Sequence, residues 1–139
     1  MKIKRFDTLP EEARKIRDDV FVKEQGFHHE FDDLDEMSTH LVLYDSGRPV
    51  AACRFYESEP DGVYILGRLA VVKSYRGKHA GSQMLNHAEA EIRKAGGKKI
   101  CLHAQVQAKE FYEKHGYAAH GGTDYDEHCP HVQMEKELA

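Results

Sequence analysis

The chain has 139 residues, with 20 Lys and Arg against 24 Asp and Glu and a formal net charge of −4. Hydrophobic residues make up 40% and charged residues 32%, a balance that supports a folded core and excludes an intrinsically disordered chain. The length predicts a single domain over residues 1–139. Because the protein is mildly acidic, we expect no binding to nucleic acid or to an anionic membrane surface.

The cysteines and the distribution of apolar residues predict the compartment. No apolar run reaches about 18 residues, and the first residues lack the apolar stretch of a secretory signal. Cys53, Cys101 and Cys129 are far apart and form no CxxC pair. We therefore expect free thiols and a cytoplasmic protein.

The predicted elements alternate between strands and helices. Residues 2–6 alternate as a strand, and Thr8 with Glu11 fits a capping box that starts a helix over residues 9–24. Residues 25–38 are acidic and aperiodic, which predicts a surface loop. Three strands follow over 39–44, 49–56 and 63–72, with turns at 45–48 and 60–62. A helix then ends at Gly96-Gly97, and the apolar residues on one of its faces are Met84, Leu85, Ala88, Ile92 and Ala95. The last predicted elements are a strand over 99–104, a short helix over 108–115, and strands near 117–120 and 130–136. This order predicts an α/β domain with a mixed sheet.

The turn from the long strand into the second long helix, residues 69–82, is suited to binding phosphate. Gly77 and Gly81 let the backbone approach a ligand, and the unpaired N–H groups of a helix start attract anions. The window 62–88 contains no Asp or Glu but has Arg68, Lys73, Arg76 and Lys78. The pattern is neither a Walker P-loop nor GxGxxG, and an ordinary turn with solvated lysines is the alternative.

A second stretch, residues 105–117, places a short amphipathic helix directly after a strand. Tyr112 lies near the middle of this helix, where packing alone would explain it. Together the two stretches resemble the GNAT family of acetyl-CoA-dependent N-acetyltransferases. The first is similar to the family's Arg/Gln-x-x-Gly-x-Gly/Ala loop, here Arg76-Gly77-Lys78-His79-Ala80-Gly81. The second is similar to its Asn-x-x-Ala-x-x-Phe-Tyr-x-x-x-Gly-Phe block, here Gln105, Ala108, Phe111, Tyr112, Gly116 and Tyr117.

The likeness extends over nearly the whole chain. Residues 20–25, 102–105 and 126–134 resemble the small bacterial ElaA/YjcF-like subgroup. Two positions depart from the family pattern, because His79 stands where glycine is usual and Gln105 stands for Asn. A histidine at position 79 would either crowd the diphosphate of the cofactor or add a donor to it, and Gln105 would lengthen a side chain near the pantetheine arm.

The resemblance implies an acyl-CoA N-acyltransferase fold. In this fold a mixed, mostly antiparallel central sheet with flanking helices has a splayed central strand pair. Acetyl-CoA would bind in the resulting opening as a co-substrate, and no metal is expected. The residues expected to contact it are Leu69, Ala70, Val71, Arg76, Gly77, Lys78, His79, Ala80, Gly81, Ser82, Gln105, Phe111 and Tyr112.

The resemblance also implies direct transfer of the acetyl group to a primary amine of a small molecule or peptide. Tyr112 would be the general acid toward the leaving thiolate, because a phenol pKa of about 10 lies close to that of a thiol. His103 is the candidate base, with an outward or hydrogen-bonded strand histidine as the alternative. Glu24 either attracts a cationic amine or is a solvated carboxylate. Arg68 either faces the ligand or pairs with an acidic residue across the sheet.

Several alternatives remain at the level of sequence. One is a non-catalytic module that binds CoA or a nucleotide. Another is a metal site built from the donor-rich segment 120–131 or from His28-His29-Glu30, although the adjacent Cys129 would point away from its neighbours on a strand. The acidity of residues 25–38 favours a cationic acceptor, whereas such runs are usually solvated. A ping-pong route through a cysteine is not expected, and a homodimer is the commonest assembly.

Overall fold

The computed structural model describes residues 1–58 and 62–138. The strands are β1 (Lys2–Phe6), β2 (Thr39–Asp45), β3 (Arg48–Ser58), β4 (Val63–Val71), β5 (Lys99–Gln105), β6 (Ala118–Asp126) and β7 (Cys129–Glu137). The helices are α1 (Glu11–Arg17), which continues as a π-helix over Asp18–Glu24, then α2 (Leu34–Met37), α3 (Ala80–Lys94) and α4 (Lys109–Lys114), with 3₁₀ turns at Lys73–Tyr75 and Val106–Ala108. Within the described residues the strands form one mixed sheet in the order β1-β2-β3-β4-β5-β7-β6, in which only β4 and β5 pair in parallel.

Helices cover both faces of this sheet, and the alternation of strand residues explains why. In β2, Leu41 and Leu43 belong to the buried cluster that contains the apolar face of α3. The intervening Val42 and Tyr44 belong to the cluster beneath α1 and the π-helix. Burying a large apolar side chain contributes about 1.5–3 kcal/mol, so both faces stabilise the sheet. None of the described helices is both long and apolar enough to cross a membrane.

The element order and the α/β fold class are confirmed, with local corrections. The capping box is wrong, because α1 begins at Glu11 with an extended Pro10 (φ −78°, ψ 156°) as N-cap and no side-chain cap. The segment 25–38 is not a plain loop, since it contains α2. The predicted stop after α3 is confirmed, because Gly96 has φ 93° and the N–H of Gly97 donates to the carbonyl of Ile92 at 2.8 Å. Of the turn predicted at 60–62, residues 60 and 61 lie outside the described residues.

Candidate active site

A cleft opens where β4 and β5 stop pairing. The two strands are in register only from Val63 to Ile65, opposite Lys99 to Cys101, although both continue further. Residues beyond this point line a cavity of about 430 Å³. Parted strands leave N–H and C=O groups available to an extended ligand. The splayed central strand pair predicted from the sequence is therefore confirmed.

The backbone of β4 directs one amide into this cleft. The N–H of Val72 donates to the carbonyl of Val50 at 3.0 Å. Because successive residues of an antiparallel strand face opposite edges, the N–H and C=O of Val71 are turned away from β3 and toward the cleft. In agreement, the carbonyl of Val71 accepts a bond of 3.1 Å from Nε of Arg76. The amide of Val71 is thus oriented as a donor to a ligand carbonyl.

The loop between β4 and α3, residues 72–79, is called the phosphate loop here. Gly77 and His79 both have left-handed backbones, with φ 78° and 65°. His79 is the N-cap of α3, and the first turn of α3 contains no acidic side chain that would repel an anion. A β-carbon in this conformation costs about 1–2 kcal/mol, so His79 occupies a position that glycine would fill without strain. Its side chain is exposed.

Part of the predicted cofactor set lines the cleft. These residues are Leu69, Ala70, Val71, Arg76, Gly81, Gln105, Phe111 and Tyr112. Gly77, Lys78, His79 and Ser82 lie on the phosphate loop and in the first turn of α3, outside the lining, and Ala80 is buried in the core. A β-carbon at Gly81 would lie 3.4 Å from Cζ of Phe111, so the glycine allows α3 to approach this ring closely.

Tyr112 is the candidate acid, and its ring forms part of the cleft wall. The side chain is 8% exposed and packs edge-on against Phe111 and Tyr117, with ring centroids 5.1 and 5.7 Å away. Its hydroxyl has no hydrogen-bond partner among residues 1–58 and 62–138. Burial, reinforced by the nearby Cys53, raises the pKa of Tyr112 above its ordinary value. The phenol therefore stays protonated at neutral pH, but it is a weaker acid than the sequence argument assumed.

His103 lines the same cleft and makes a specific contact. Its Nε2 lies 2.7 Å from Oδ1 of Asp124, and its ring lies 4.6 Å from that of His131. The hydrogen bond from His103 lowers the pKa of Asp124. When Nε2 carries the proton toward this carboxylate, Nδ1 is left as the acceptor. His103 is thus both a hydrogen-bonded strand histidine and a cleft residue.

Comparison with known proteins identifies the family. Residues 7–138 match the family profile described as the acetyltransferase (GNAT) domain. The chain belongs to the GNAT family. It is 37% identical over 129 residues to the uncharacterized N-acetyltransferase YjcF of Bacillus subtilis, with 91% of each chain covered.

Solved structures confirm the GNAT fold. The crystal structure of Escherichia coli ElaA has 22% identity and a TM-score of 0.87 over 98% of this chain and 99% of that one. An aminoglycoside 6'-N-acetyltransferase complexed with coenzyme A has 20% identity and a TM-score of 0.78 over 99% and 97% of the two chains. The family profile and the sequence relatives confirm the ElaA/YjcF-like assignment and an acyltransferase of the GNAT family, and the two solved structures show the same fold.

Glu24, predicted either to attract a cationic amine or to be a solvated carboxylate, lies outside the cleft lining of this GNAT domain. The guanidinium of Arg76 donates to both of its oxygens, at 2.5 and 2.7 Å. These hydrogen bonds lower the pKa of Glu24. Glu24 is nevertheless exposed at the end of the π-helix, which agrees with the alternative of a solvated helix-end carboxylate. Glu24 joins the π-helix to the phosphate loop and fixes Arg76 beside the cleft.

Gln105 uses its extra length to bridge the cleft entrance. Its Nε2 donates to Oε1 of Gln25 at 2.7 Å, and Nε2 of Gln107 donates to its Oε1 at 2.6 Å. Gln25 follows directly on the π-helix, whereas Gln105 ends β5. The departure from the family's Asn therefore connects the two sides of the cleft.

A buried ion network that the sequence analysis missed lies beneath the cleft. Arg17 is 1% exposed and donates to both oxygens of Asp35, at 2.8 and 3.2 Å. Arg54 donates to Asp35 at 2.8 Å and to Asp32 at 2.6 Å. Although burial opposes ionisation, the hydrogen bonds from Arg17 and Arg54 lower the pKa of Asp35 to about 2. Within the acidic segment, Asp35 is therefore buried in ion pairs, whereas Asp32 is paired but still exposed.

Glu30 connects this network to the cleft. Its Oε2 lies 2.9 Å from Nε of Arg17 and 3.1 Å from Nε of Arg68. Burial raises the pKa of Glu30, against the opposing charge of Arg68. Arg68 has a left-handed backbone (φ 53°) in the region where the register between β3 and β4 shifts, and it lines the cleft. Arg68 thus both faces the cleft and pairs with acids, which come from the 25–38 segment rather than from across the sheet.

The two donor-rich segments proposed as a metal site are joined to each other by hydrogen bonds. The carboxylate of Glu127 accepts hydrogen bonds from the N–H groups of His28 and His29, at 2.8 and 2.9 Å. The ring of His128 lies 5.1 Å from that of Phe27. Over residues 1–58 and 62–138, no group of three or more His, Cys, Asp or Glu is placed to hold a metal ion. This contact, the Glu127 clasp, joins the β6–β7 turn to the loop after the π-helix.

The three cysteines are free thiols. Burial raises the pKa of Cys53 to about 12, and it also raises the pKa of Cys101. Neither side chain lines the cleft. A protonated thiol is a poor nucleophile, so these positions do not favour a covalent acetyl-cysteine route.

Proposed function

We propose that this protein transfers the acetyl group of acetyl-CoA to a primary amine by direct attack in a ternary complex. The observation that carries the proposal is the parting of β4 from β5, which exposes the inward-turned amide of Val71 in a cleft that Tyr112 also lines. Family membership and the CoA complex of a structural neighbour support acetyl-CoA as the co-substrate.

The residues present fit this co-substrate. The phosphate loop carries Lys73, Arg76 and Lys78 ahead of the N-terminus of α3, where the helix dipole and backbone N–H groups favour a diphosphate. Gly81 leaves room where a side chain would narrow the cleft against Phe111. The edge of β4 from Leu69 to Val71 offers backbone groups to the amides of the pantetheine arm.

Each proton transfer has a candidate group in the cleft. The amide of Val71 stabilises the negative charge that develops on the acetyl oxygen. Tyr112, protonated at neutral pH, donates its proton to the departing thiolate. His103, oriented by Asp124 so that Nδ1 can accept, takes the proton from the attacking amine, directly or through water.

Thioester cleavage from acetyl-CoA across a panel of primary amines tests the function, with thermal unfolding as the binding assay. Acetyl-CoA at a hundredfold excess over Kd should add about 2.7 kcal/mol of stability. We expect Tyr112→Phe to lower kcat by about 10²- to 10⁴-fold with the same acetyl-CoA affinity. The matched control is Tyr125→Phe, because this tyrosine is 70% exposed and lies outside the cleft lining.

The outcomes separate the rival functions. Stabilisation by acetyl-CoA without turnover on any amine would indicate a binding module instead of an enzyme. Unchanged turnover in Tyr112→Phe would remove this residue from the mechanism while leaving acetyl transfer intact. Stoichiometric metal in the purified protein would favour the metal-binding alternative.

A further inference from the structure

We propose that the acceptor is a zwitterionic, amino-acid-like molecule whose carboxylate, adjacent to the reacting amine, is bound by Arg68. The inference rests on the proposed acetyl transfer and specifies its second substrate. It replaces the cationic acceptor that the acidity of residues 25–38 had favoured. Three structural observations carry it: the neutralisation of those acids, the direction in which the network presents its charges, and the unused donors of Arg68.

Three of the five acids that suggested a cationic acceptor are already paired. Glu30, Asp32 and Asp35 are matched by three arginines within the described chain, and Glu30 and Asp35 are almost fully buried. Each carboxylate is bonded to two guanidinium groups. The network therefore carries no excess negative charge that would attract a polycation.

The network also presents opposite charges to its two sides. The remaining acidity faces a separate hollow, which is lined by Thr8, Leu9, Arg14, Phe31, Asp32, Asp33, Asp35 and Glu36. Toward the cleft, the exposed member of the network is Arg68, with 24% of its side chain exposed against 5% for Glu30. Arg17 and Arg54 do not line the cleft. An acceptor entering the cleft thus meets the guanidinium of Arg68 more than the carboxylate of Glu30, the one acid of residues 25–38 in the described cleft lining.

Arg68 keeps donors for a ligand. Its Nε is engaged by Glu30 and one Nη by Asp32, while the other Nη has no protein partner in the described chain. Both contacts hold the planar group rigid, and a fixed guanidinium suits the two oxygens of a carboxylate. The same cleft is lined by the exposed Asp126, which gives the ammonium group a counter-charge. A molecule with both charges therefore complements the cleft.

The test compares amino acids with partners that lack the carboxylate charge or the whole carboxylate group. Thioester cleavage is measured for L-phenylalanine, L-glutamate and L-lysine, each beside its α-carboxamide and its decarboxylated amine. We expect the best free amino acid to exceed its amide in kcat/KM by about 10- to 100-fold, the effect of a lost charge-assisted contact. In Arg68→Gln, KM for the amino acid should rise by a similar factor while KM for the amide stays the same.

Controls separate binding from folding. Arg68→Lys keeps the charge but not the planar fork and should recover only part of the preference. Arg14→Gln removes a cation from the opposite hollow and should leave the preference unchanged. Unfolding temperature and acetyl-CoA affinity verify that each variant is folded, and calorimetric binding of N-acetyl amino acids against their amides repeats the comparison without turnover.

The results distinguish two failures. Amides or decarboxylated amines used as well as the amino acids by the wild-type protein would overturn the carboxylate subsite and leave the acetyltransferase intact. An unchanged preference in a folded Arg68→Gln variant would overturn it as well. No thioester cleavage with any amine would overturn the proposed function, and this inference with it.

Discussion

The substitution Asp35→Asn tests the buried ion network beneath the cleft. The carboxylate of Asp35 accepts hydrogen bonds from Arg17 and Arg54 and is 8% exposed. An amide cannot neutralise these two guanidinium groups, and breaking a buried ion pair from one side costs about 3–5 kcal/mol. We therefore expect the free energy of unfolding at pH 7 to fall by about 3 kcal/mol.

The same carboxylate gives stability a pH dependence of defined sign. Its pKa is lowered from 3.8 to about 2, so its stabilisation is complete above the unfolded value and is lost as the pH falls through the folded value. At about 1.4 kcal/mol for each pKa unit, this amounts to about 2 kcal/mol. Glu30, with a raised pKa, acts in the opposite sense, because its contribution is present at low pH and is lost as the pH rises through its folded pKa. Asp35→Asn should therefore flatten the acid limb of the stability profile.

Urea unfolding followed by circular dichroism measures both effects, since the chain contains no tryptophan. The control is Glu36→Gln, an exposed position of the same helix, for which we expect a change within about 0.5 kcal/mol. A variant Asp35→Asn as stable as this control, with the acid limb of the wild type intact, would refute the assignment of Asp35 as a buried, ionised partner of the arginines.

Three further predictions concern the backbone and the Glu127 clasp. His79→Gly relieves the left-handed strain and should raise the free energy of unfolding by up to about 1 kcal/mol, measured by urea unfolding. Gly97→Ala should lower it by about 2 kcal/mol, because the new β-carbon would lie 2.3 Å from Cγ2 of Ile92. Glu127→Gln should speed hydrogen exchange at the amides of residues 28 and 29, which lose a charged acceptor.

Each of these predictions has a matched control. His79→Ala keeps the β-carbon and should give no gain, so equal effects of Ala and Gly would contradict the strain argument. Gly122→Ala has no atom within 4 Å of the new methyl group, and a loss as large as that of Gly97→Ala would show that crowding is not the cause. Glu110→Gln lies away from the clasp, and protection lost equally in this variant would mean that Glu127 does not hold the loop.

The fold was predictable because its signals are local. Helical spacing marks the buried face of α3, and the left-handed Gly96 ends the helix where two adjacent glycines were read as a stop. The splayed strands were predicted from the resemblance, whereas the phosphate loop was also indicated by its glycines and by the absence of acidic residues over 62–88. The conversion of α1 into a π-helix was missed, because an inserted residue in the hydrogen-bond pattern leaves no clear mark in the spacing.

Side-chain pairing was less predictable, because the partners are distant in sequence. Glu24 is hydrogen-bonded to Arg76, and this pairing depends on how the π-helix packs against the phosphate loop. One signal was available: Arg17 is four residues after Ala13 and three before Val20, on the buried face of the first helix. A charged residue at such a position requires buried partners, which the acids of residues 25–38 could supply.

The binding site for acetyl-CoA should therefore be easier to predict from sequence than the binding site for the acceptor. Acetyl-CoA is expected to contact backbone N–H groups of the phosphate loop and of β4, whose geometry follows from glycines and strand parting that motifs encode. We expect the acceptor to meet side chains brought together from the π-helix, the 25–38 segment, β4, β5, β6 and β7. A substitution at Glu30 or Arg68 can change this surface without disturbing the phosphate loop. Related chains with the same cofactor motif can therefore differ in acceptor. We expect such a difference to accompany substitutions among the charged residues of the buried network.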